Sequence, residues 1–503
     1  MKKSIIYGIA LALASGLTAC DSWLDINDNP NVVQKEQLTT SDIFPGIEVA
    51  FMNIYGGTWN YMGAFQSWMY AQSGAVDQWG DISRGNVTNQ TANSGYTSVY
   101  RDVLSNAKEI KEMAAEEEDW GTYLAAVVIR VVGLQMIVDA IGDAPYSEAT
   151  DLTNQTPSYD SAADIYAGLI AELDEALANP IDQSKATCTN FLLGTGATGA
   201  DWIKVANAVK LRLLMRECGV VNVQSQLASL IGQDNFPTSD VAWSLFVSEK
   251  YKSNPLWGQF TDTGNHAAWM QMNIASQKVY EAGNDARMQV YFNPNDAGEY
   301  VGWLSGCYPG NQFASGYKDL SDVSCANLHA TDPIYLITVA EIEFFKAEYE
   351  ARYGSAAAAK THYENAIKAS FSKTAGLDES GANSVIAAWP YDSSNLAKSI
   401  GIQKLIHLTG VNGFEGWCEL RRLKYPAFGS ATGDDIIPYT QDATIDMNVL
   451  EAGTIYTTAA AERSSQLPAN TVVQRWITPS NSTDNNINHG AIVAITVPLF
   501  WAE

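Results

Sequence analysis

The sequence is poor in the residues that most often mark catalytic and metal centres. Only five of its 503 residues are histidine, and they form neither an HxH nor an HExxH array. A CxxC pair, a GxSxG nucleophile motif and a phosphate-binding loop are also absent. The 56 acidic residues offer many carboxylate pairs for glycoside hydrolysis, but no spacing singles one out. We therefore expect no enzyme, no catalytic residue and no cofactor.

Basic residues are scarce as well. The chain has 30 Lys and Arg against 56 Asp and Glu, and its formal charge is −26. A surface this acidic repels phosphate backbones and anionic headgroups, so we expect no nucleic-acid partner. The acidic turns at Asp25–Asp28 and Asp434-Asp435 lack the EF-hand pattern, and we interpret them as solvated turns and predict no metal site.

Beyond residue 20, no stretch approaches the roughly 20 continuous apolar residues of a transmembrane helix. The segment 127–141 comes closest, but Arg130, Gln135 and Asp139 interrupt it. We therefore predict that it is a buried helix of the folded domain.

The N-terminus has the pattern of an export signal. Lys2 and Lys3 precede a short apolar run from Ile5 to Leu17, and small residues then lead into Cys20. Leu17-Thr-Ala-Cys20 resembles a bacterial lipobox, in which the cysteine becomes the lipidated first residue. The alternative is an ordinary secretory signal with a cysteine near its cleavage site. We predict a signal peptide at 1–19, a lipidated tether and lead-in at 20–50, and a lipid-anchored protein outside the cytoplasm.

The remaining cysteines do not have metal-like spacing. They are odd in number: Cys188, Cys218, Cys307, Cys325 and Cys418. Cys307 and Cys325 share one loop-rich segment and could pair in an oxidising compartment. Cys218 and Cys418 lie in helical patterns, which predicts buried free thiols.

Helical periodicity dominates the chain. Apolar residues recur at helical spacing after Ser161, whose position before Asp164 predicts an N-terminal cap. A second amphipathic helix is predicted to end near Glu217, and a third to begin at Thr338 and stop at Gly354. Further helices are predicted at about 96–115, 120–141, 356–371, 399–409 and 413–423.

Residues 338–371 form two predicted helices separated by a glycine turn. The second carries Ala359, Tyr363 and Ala366, the small-large-small spacing with which tetratricopeptide helices interlock. The first departs from that consensus, with Lys346 and Glu350 where large apolar residues are expected. A plain helical hairpin is the alternative.

Long segments of another character separate these helices. They are rich in Gly, Asn, Asp, Ser and aromatic residues, and few alternate with the period of a strand. Loops this long are usually functional. We predict a mainly α fold: a tetratricopeptide-like helix-pair scaffold with large, irregular, loop-rich insertions that carry the ligand surface.

Several motifs then occur in a characteristic order. They are Leu24-Asp-Ile-Asn-Asp-Asn-Pro30, Tyr100-Arg-Asp-Val-Leu-Ser-Asn-Ala-Lys108, Ile141-Gly-Asp-Ala-Pro-Tyr-Ser-Glu148, Trp202 to Arg216 and Gly416-Trp-Cys-Glu-Leu-Arg-Arg422. In this order, and with the lipobox, they resemble the SusD/RagB-like outer-membrane lipoproteins of Bacteroidetes, in the branch with a Gly-Asp-x-Pro-Tyr-Ser-Glu-Ala signature. The resemblance runs from Cys20 to about Trp476.

The resemblance implies four tetratricopeptide-like helix pairs that support a variable ligand region. It further implies a non-enzymatic protein that captures oligosaccharides, or occasionally peptides, for a SusC-like TonB-dependent transporter. On this basis 51–503 is one SusD-like domain, with its scaffold at about 96–217 and 338–423 and its variable insertions at about 59–95, 219–335 and 424–490. A scaffold that only holds other proteins is the remaining alternative.

Most of the family motifs also have a structural interpretation. Gly142 followed by Pro145 is typical of a helix C-terminus. We predict that Arg212, Arg216, Arg421 and Arg422 pair with nearby carboxylates rather than bind ligand.

A sugar site needs exposed rings for C–H faces and short polar side chains for hydroxyls. Two segments mix such residues. The first spans Trp59 to Asn93 and includes Gln78, Trp79 and Asn89; the second contains Trp257, His266, Trp269, Tyr300, Trp303, Tyr308, Asn311 and Tyr317. Trp59, Trp68 and Tyr70 could instead be core. Loop-like neighbours favour Trp79, then Trp303, and the predicted ligand-binding residues are Trp79, Gln78, Asn89, Trp269, Trp303 and Tyr308.

Overall fold

The structure is a computed structural model, and it describes residues 37–72, 79–151, 153–262, 269–306, 322–436, 445–460 and 463–503. The predicted lipidation site Cys20 lies outside these residues. So do Gln78, His266, Cys307 and Tyr308, and whether Cys307 pairs with Cys325 is therefore not tested.

Helices make up most of the described chain. They are α1 Thr40–Met52, α2 Trp59–Gln66, α3 Gly80–Ser83, α4 Asn93–Ser98, α5 Ser105–Glu116, α6 Trp120–Ile141, α7 Ala162–Ala178, α8 Gly199–Glu217, α9 Gln224–Gln233, α10 Pro255–Trp257, α11 Ile274–Gly283, α12 Arg287–Tyr291, α13 Val339–Tyr353, α14 Ala356–Ala369, α15 Ala382–Ala388, α16 Leu396–Thr409, α17 Gly413–Leu423, α18 Gly433–Ile436 and α19 Ser480–Thr483. Short π-helical segments continue or join several of them, at Asn53–Thr58, Val99–Leu104, Gly258–Asp262 and Ser370–Thr374.

Strands are short. They are β1 Tyr70–Gln72, β2 Val241–Trp243, β3 Met270–Met272, β4 Phe292–Asn293, β5 Cys325–Ala326, β6 Ile334–Ile337, β7 Ala427–Thr432 and β8 Thr454–Thr457. The largest sheet has the order β1-β3-β5-β4, and its three pairings are antiparallel. The mainly α fold with minor sheet, predicted from the sequence, is confirmed.

Helix α6 is the central element of the scaffold. Its length and apolar composition would let it cross a membrane, but every residue of its most apolar stretch is buried inside the protein. Helices α5, α7 and α8 pack around it. This explains why a run with so little amphipathic character is a core helix, as predicted for 127–141.

The helix starts follow the predicted caps. The Ser161 hydroxyl accepts a hydrogen bond from the Asp164 amide at the start of α7. At the start of α13, Thr338 and Glu341 form a reciprocal capping box. These side chains satisfy amide groups that a helix leaves unpaired at its first turn.

Helices α13 and α14 form the predicted hairpin. Ala359, Tyr363 and Ala366 are fully buried in it, where Tyr363 and Ala366 share a cluster with Phe344 and Ala347 of α13. The small residues let the two helices approach, and the tyrosine fills the space between them. The tetratricopeptide-like spacing thus describes a real interlocking pair.

The Gly142 loop closes α6 and starts α7. Gly142 has φ of 90°, which few other residues adopt. The Asp143 carboxylate accepts from the Ala162 amide, and the Asp160 carboxylate accepts from the Tyr146 and Ser147 amides. The segment from Gly142 to Ser147 therefore builds the turn of a helical hairpin, which agrees with its structural interpretation.

Arg212 and Arg216 of α8 lie in a buried ionic network. Arg212 contacts Glu341 at 3.0 Å and Glu415 at 3.4 Å, and Arg216 donates to Glu415. Burial raises the pKa of Glu415, but the two guanidinium groups more than offset this, so its pKa lies below the ordinary value. The predicted pairing with carboxylates is confirmed for both arginines.

The other two arginines behave differently from each other. Arg422 pairs with Glu348 and Glu419. Arg421 instead donates to the main-chain oxygens of Asp139 and Gln474, and its guanidinium lies 3.5 Å from the centre of the Trp417 ring. The predicted carboxylate partner of Arg421 is wrong, because the main-chain carbonyls of Asp139 in α6 and of Gln474 take its donors.

Cys188, Cys218 and Cys418 are buried free cysteines. Cys218 and Cys418 are buried, as predicted, and burial raises the pKa of the Cys218 thiol to about 12. Both are therefore unreactive members of the core.

Candidate aromatic binding site

The largest sheet brings the two aromatic segments of the sequence together. Strand β1 pairs with β3 so that Gln72 lies opposite Met270. Trp79 follows β1 and Trp269 immediately precedes β3, so both lie at the same end of this pair. The Trp79 amide donates to the Gln72 side-chain oxygen at 3.1 Å, which holds Trp79 against the end of β1.

Four rings meet there, and we call Tyr61, Trp79, Phe260 and Trp269 the aromatic cluster. The centre of the Trp79 ring lies 4.8 Å from that of Phe260, 5.4 Å from that of Tyr61 and 5.8 Å from that of Trp269. These spacings are typical of favourable tilted and edge-to-face ring pairs. Burial raises the pKa of the Tyr61 phenol, and a hydrogen bond with Trp79 offsets part of the rise. The cluster is therefore uncharged at neutral pH.

The members of the cluster differ in exposure. Trp79 is only 8 % exposed and Phe260 is fully buried, whereas Trp269 is half-buried. The predicted exposure of Trp79 as a loop ring is wrong, because Tyr61 and Phe260 pack against it from two sides. Trp269 is the most exposed ring of this cluster.

Trp303 is not at the surface either. It is 2 % exposed and packs in a second core cluster with Ala71, Ile274 and Leu304. Its amide donates to the Met272 carbonyl at 2.8 Å. The neighbouring Gly302 suggested a loop in the sequence, but a Cβ there would lie 2.6 Å from the Ile274 Cα. That glycine therefore permits close packing, and the predicted exposure of Trp303 is wrong.

The amide-rich segment contacts the C-terminal part of the chain. The Gln90 and Asn93 side chains each donate to the Ser480 hydroxyl at 2.8 Å, and the Asn89 carbonyl accepts from the Ser480 amide at 3.0 Å. Asn89 is exposed. These amides thus hold α19 in place, and Asn89 is the predicted polar ligand residue that the structure leaves accessible.

The remaining predicted aromatics are scattered. Trp257 of α10 and Tyr300 are half-buried, and Trp59, Trp68 and Tyr70 are core, in agreement with the structural alternative. Tyr61 lies in the first predicted segment but was not among the predicted ligand-binding residues, and Phe260 was in neither set. Phe260 has no local signal at all, since only the β1–β3 pairing brings it to Trp79.

Among the residues that the structure describes, no three His, Cys, Asp or Glu side chains are grouped so as to hold a metal ion. Asp435, considered in the sequence as part of an acidic turn, accepts from the Thr432 amide at 2.8 Å and from its hydroxyl at 2.9 Å. That carboxylate therefore supports a local turn.

The helical scaffold with its loop-rich insertions matches a known protein family. Residues 35–441 match the sequence model of the SusD-like family described as starch-binding and associating with the outer membrane. Since the match spans most of the chain, the protein belongs to the SusD-like family. Proteins of this family are binding proteins rather than enzymes, so the predicted absence of enzymatic activity is confirmed by the membership.

Solved structures share the fold. A SusD homologue from Bacteroides uniformis has a TM-score of 0.72 at 20 % identity, over 91 % of this chain and 98 % of that one. A chitin-binding SusD homologue from Flavobacterium johnsoniae has a TM-score of 0.69 at 18 % identity, over 91 % and 98 %. A further chitin-binding protein has a TM-score of 0.72 at 17 % identity, over 92 % and 100 %. A sequence comparison with curated proteins gave no match.

Proposed function

We propose that the protein is a cell-surface lipoprotein of the outer membrane that binds oligosaccharides and delivers them to a SusC-like TonB-dependent transporter. The exposed part of the Trp269 ring is the observation on which the binding part of the proposal rests. Trp269 presents a half-buried indole on a cluster of rings, outside the helical scaffold, and such a surface suits the C–H face of a sugar.

The packing beneath Trp269 supports this role. Trp79 lies between Trp269 and the buried Phe260, and it is fixed by the hydrogen bond from its amide to Gln72. Because Trp269 rests on this fixed ring, it should lose little conformational freedom when it binds a ligand, so more of the contact free energy contributes to affinity. Asn89, which is exposed, is the polar residue proposed to meet hydroxyl groups.

Membrane attachment and delivery rest on the family and on the N-terminus. The family is described as associating with the outer membrane, and Leu17-Thr-Ala-Cys20 has the lipobox pattern. Attachment through lipidated Cys20 would leave the domain tethered beside a transporter. The transporter is a proposed partner, inferred from the family.

The test is a glycan array probed with the soluble chain from Asp21, with chitooligosaccharides included because two similar structures are of chitin-binding proteins. Binding to a defined set of oligosaccharides is the expected result. Binding to peptides instead would favour a peptide-binding member of the family. Binding to neither would favour a scaffold that only holds other proteins. Co-purification of a TonB-dependent barrel in mild detergent tests the delivery step.

A further inference from the structure

A partly enclosed cavity of about 280 Å³ lies near the aromatic cluster. Asn60 and Met270 line it, and their immediate neighbours in the chain, Tyr61 and Trp269, belong to the cluster. None of the four cluster rings lines the cavity, so different side chains form the two features. The volume is just below the roughly 300–1,000 Å³ of sites for larger ligands, which favours one small ring over an extended chain.

The walls of the cavity are ordered. Three tyrosines line it, Tyr70, Tyr291 and Tyr335. The Tyr70 hydroxyl donates to the Thr409 carbonyl at 3.2 Å, and the Tyr335 hydroxyl donates to the Thr374 carbonyl at 3.4 Å. These bonds fix aromatic walls in a cavity that also contains amide and hydroxyl side chains, a combination that suits a sugar ring.

Asp332 and His329 supply the polar end of the cavity. His329 is exposed, and its amide donates to the Asp332 carboxylate at 2.7 Å. The Asp332 carbonyl in turn accepts from the Asn254 side chain at 2.9 Å, which holds this loop against α10. A carboxylate fixed in this way can accept hydrogen bonds from hydroxyl groups.

The electrostatics of the cavity select against anions. Neither Lys nor Arg is among its lining residues, all of which the structure describes. Asp332 is acidic, and α16 ends at the cavity with Thr409 and Gly410, where main-chain carbonyls give a partial negative charge. A ligand with its own carboxylate or sulfate would meet repulsion from Asp332, and the imidazole of the lining, His329, already lies 3.3 Å from that carboxylate.

We propose that this cavity is a second subsite that takes one neutral pyranose ring and excludes uronates. The inference rests on the proposed glycan-binding function, but the subsite is separable from Trp269 because different side chains form it. A neutral ring would place C–H faces against tyrosine and hydroxyls towards Asp332 and the end of α16.

Ligand-observed NMR by saturation transfer tests the subsite. The probes are the neutral methyl pyranosides of glucose, galactose, mannose and N-acetylglucosamine, with methyl glucuronide as the anionic counterpart. We expect transfer to at least one neutral pyranoside and none to the glucuronide. Leu256→Trp places an indole at a half-buried lining position, and in a Trp269→Ala background, which lacks the first stacking ring, it should abolish the transfer.

Asp332→Asn provides a second variant that changes charge without adding bulk. It should weaken the neutral signal and admit the glucuronide, whereas Asp296→Asn, at an exposed acid that does not line the cavity, should change neither. No transfer to any neutral pyranoside, equal transfer to the glucuronide, or signals unchanged in a folded double variant with Trp269→Ala and Leu256→Trp would overturn the subsite. Even if one of these results overturned the subsite, the proposed function would stand provided that oligosaccharide binding is lost in Trp269→Ala and retained in Leu256→Trp.

Discussion

Arg422 and Glu348 form a bidentate ion pair inside the protein. The Arg422 Nη1 lies 2.7 Å from Glu348 Oε1, and its Nη2 lies 2.6 Å from Glu348 Oε2. Both side chains are almost completely buried, and the pair joins α17 to α13. Through Glu419, Arg422 is also connected to Lys404. Two parallel hydrogen bonds join the planar guanidinium to the carboxylate in a fixed geometry, which makes this contact specific as well as strong.

Removing the charge of Glu348 should destabilise the fold. In Glu348→Gln, Arg422 remains buried with one carboxylate partner fewer, and breaking a buried pair in this way costs about 3–5 kcal/mol. Urea denaturation followed by circular dichroism measures the change. Arg101→Ala is the matched control, because Arg101 pairs with Asp102 at the surface and should leave the midpoint unchanged. Equal midpoints for Glu348→Gln and the parent protein would show that the pair does not contribute.

Glu217 should make stability fall as the pH rises. Burial raises its pKa to about 7, from an ordinary value of 4.5. Its contribution is therefore fully present below about pH 4.5 and is lost as the pH rises towards 7. Glu217→Gln removes this titration, so the variant should gain stability relative to the parent protein between pH 5 and pH 8.

Urea midpoints at both pH values measure the effect of Glu217. The exposed Glu112, changed in the same way to Gln, is the control and should give a difference that does not depend on pH. A constant difference between Glu217→Gln and the parent protein would mean that Glu217 remains solvated.

Trp79→Ala should lower the melting temperature. The ring is 8 % exposed and contacts three other rings, so its removal leaves a cavity. Truncation of a buried Trp costs roughly 3–5 kcal/mol. Differential scanning calorimetry of the soluble chain gives the result. An unchanged melting temperature would contradict the burial of Trp79 and indicate that the ring is exposed to solvent.

Cys20→Ala should release the protein from the membrane fraction. The prediction rests on the lipobox at Leu17-Thr-Ala-Cys20. Stable anchoring needs more than one acyl chain, and the lipidated cysteine would carry these chains. Replacing it should therefore be sufficient to remove the anchor. Fractionation followed by immunoblotting is the measurement, and retention of unacylated protein in the outer membrane would argue against the anchor.

The helical part of the fold was predictable because its signals are local. Ser161 and Thr338 cap helices with their own side chains, and Gly142 ends one through its positive φ. The short helix α11 was missed, although Asn273 caps it through the Ala275 amide. It lies in a segment whose Gly, Asn and aromatic content suggested only irregular structure.

The site was less predictable because exposure is a tertiary property. Trp79 and Trp303 have the same loop-like neighbours as a surface ring, yet Phe260 covers the first and Ile274 packs against the second. Phe260 precedes strand β3 and Ile274 follows it, so both contacts depend on how distant parts of the chain pack together. Composition pointed to the correct segments, and the sheet then decided which ring reaches the surface.

Isothermal titration of the soluble chain and its Trp269→Ala variant with an oligosaccharide selected on the array tests the central claim most directly. Loss of the stacking ring should weaken binding by about 1–3 kcal/mol with little change in melting temperature. Trp120→Ala is the control, since Trp120 is also half-buried but lies at the start of α6, where it packs on Tyr123. Equal affinities for the parent protein, Trp269→Ala and Trp120→Ala would contradict a glycan site on the aromatic cluster.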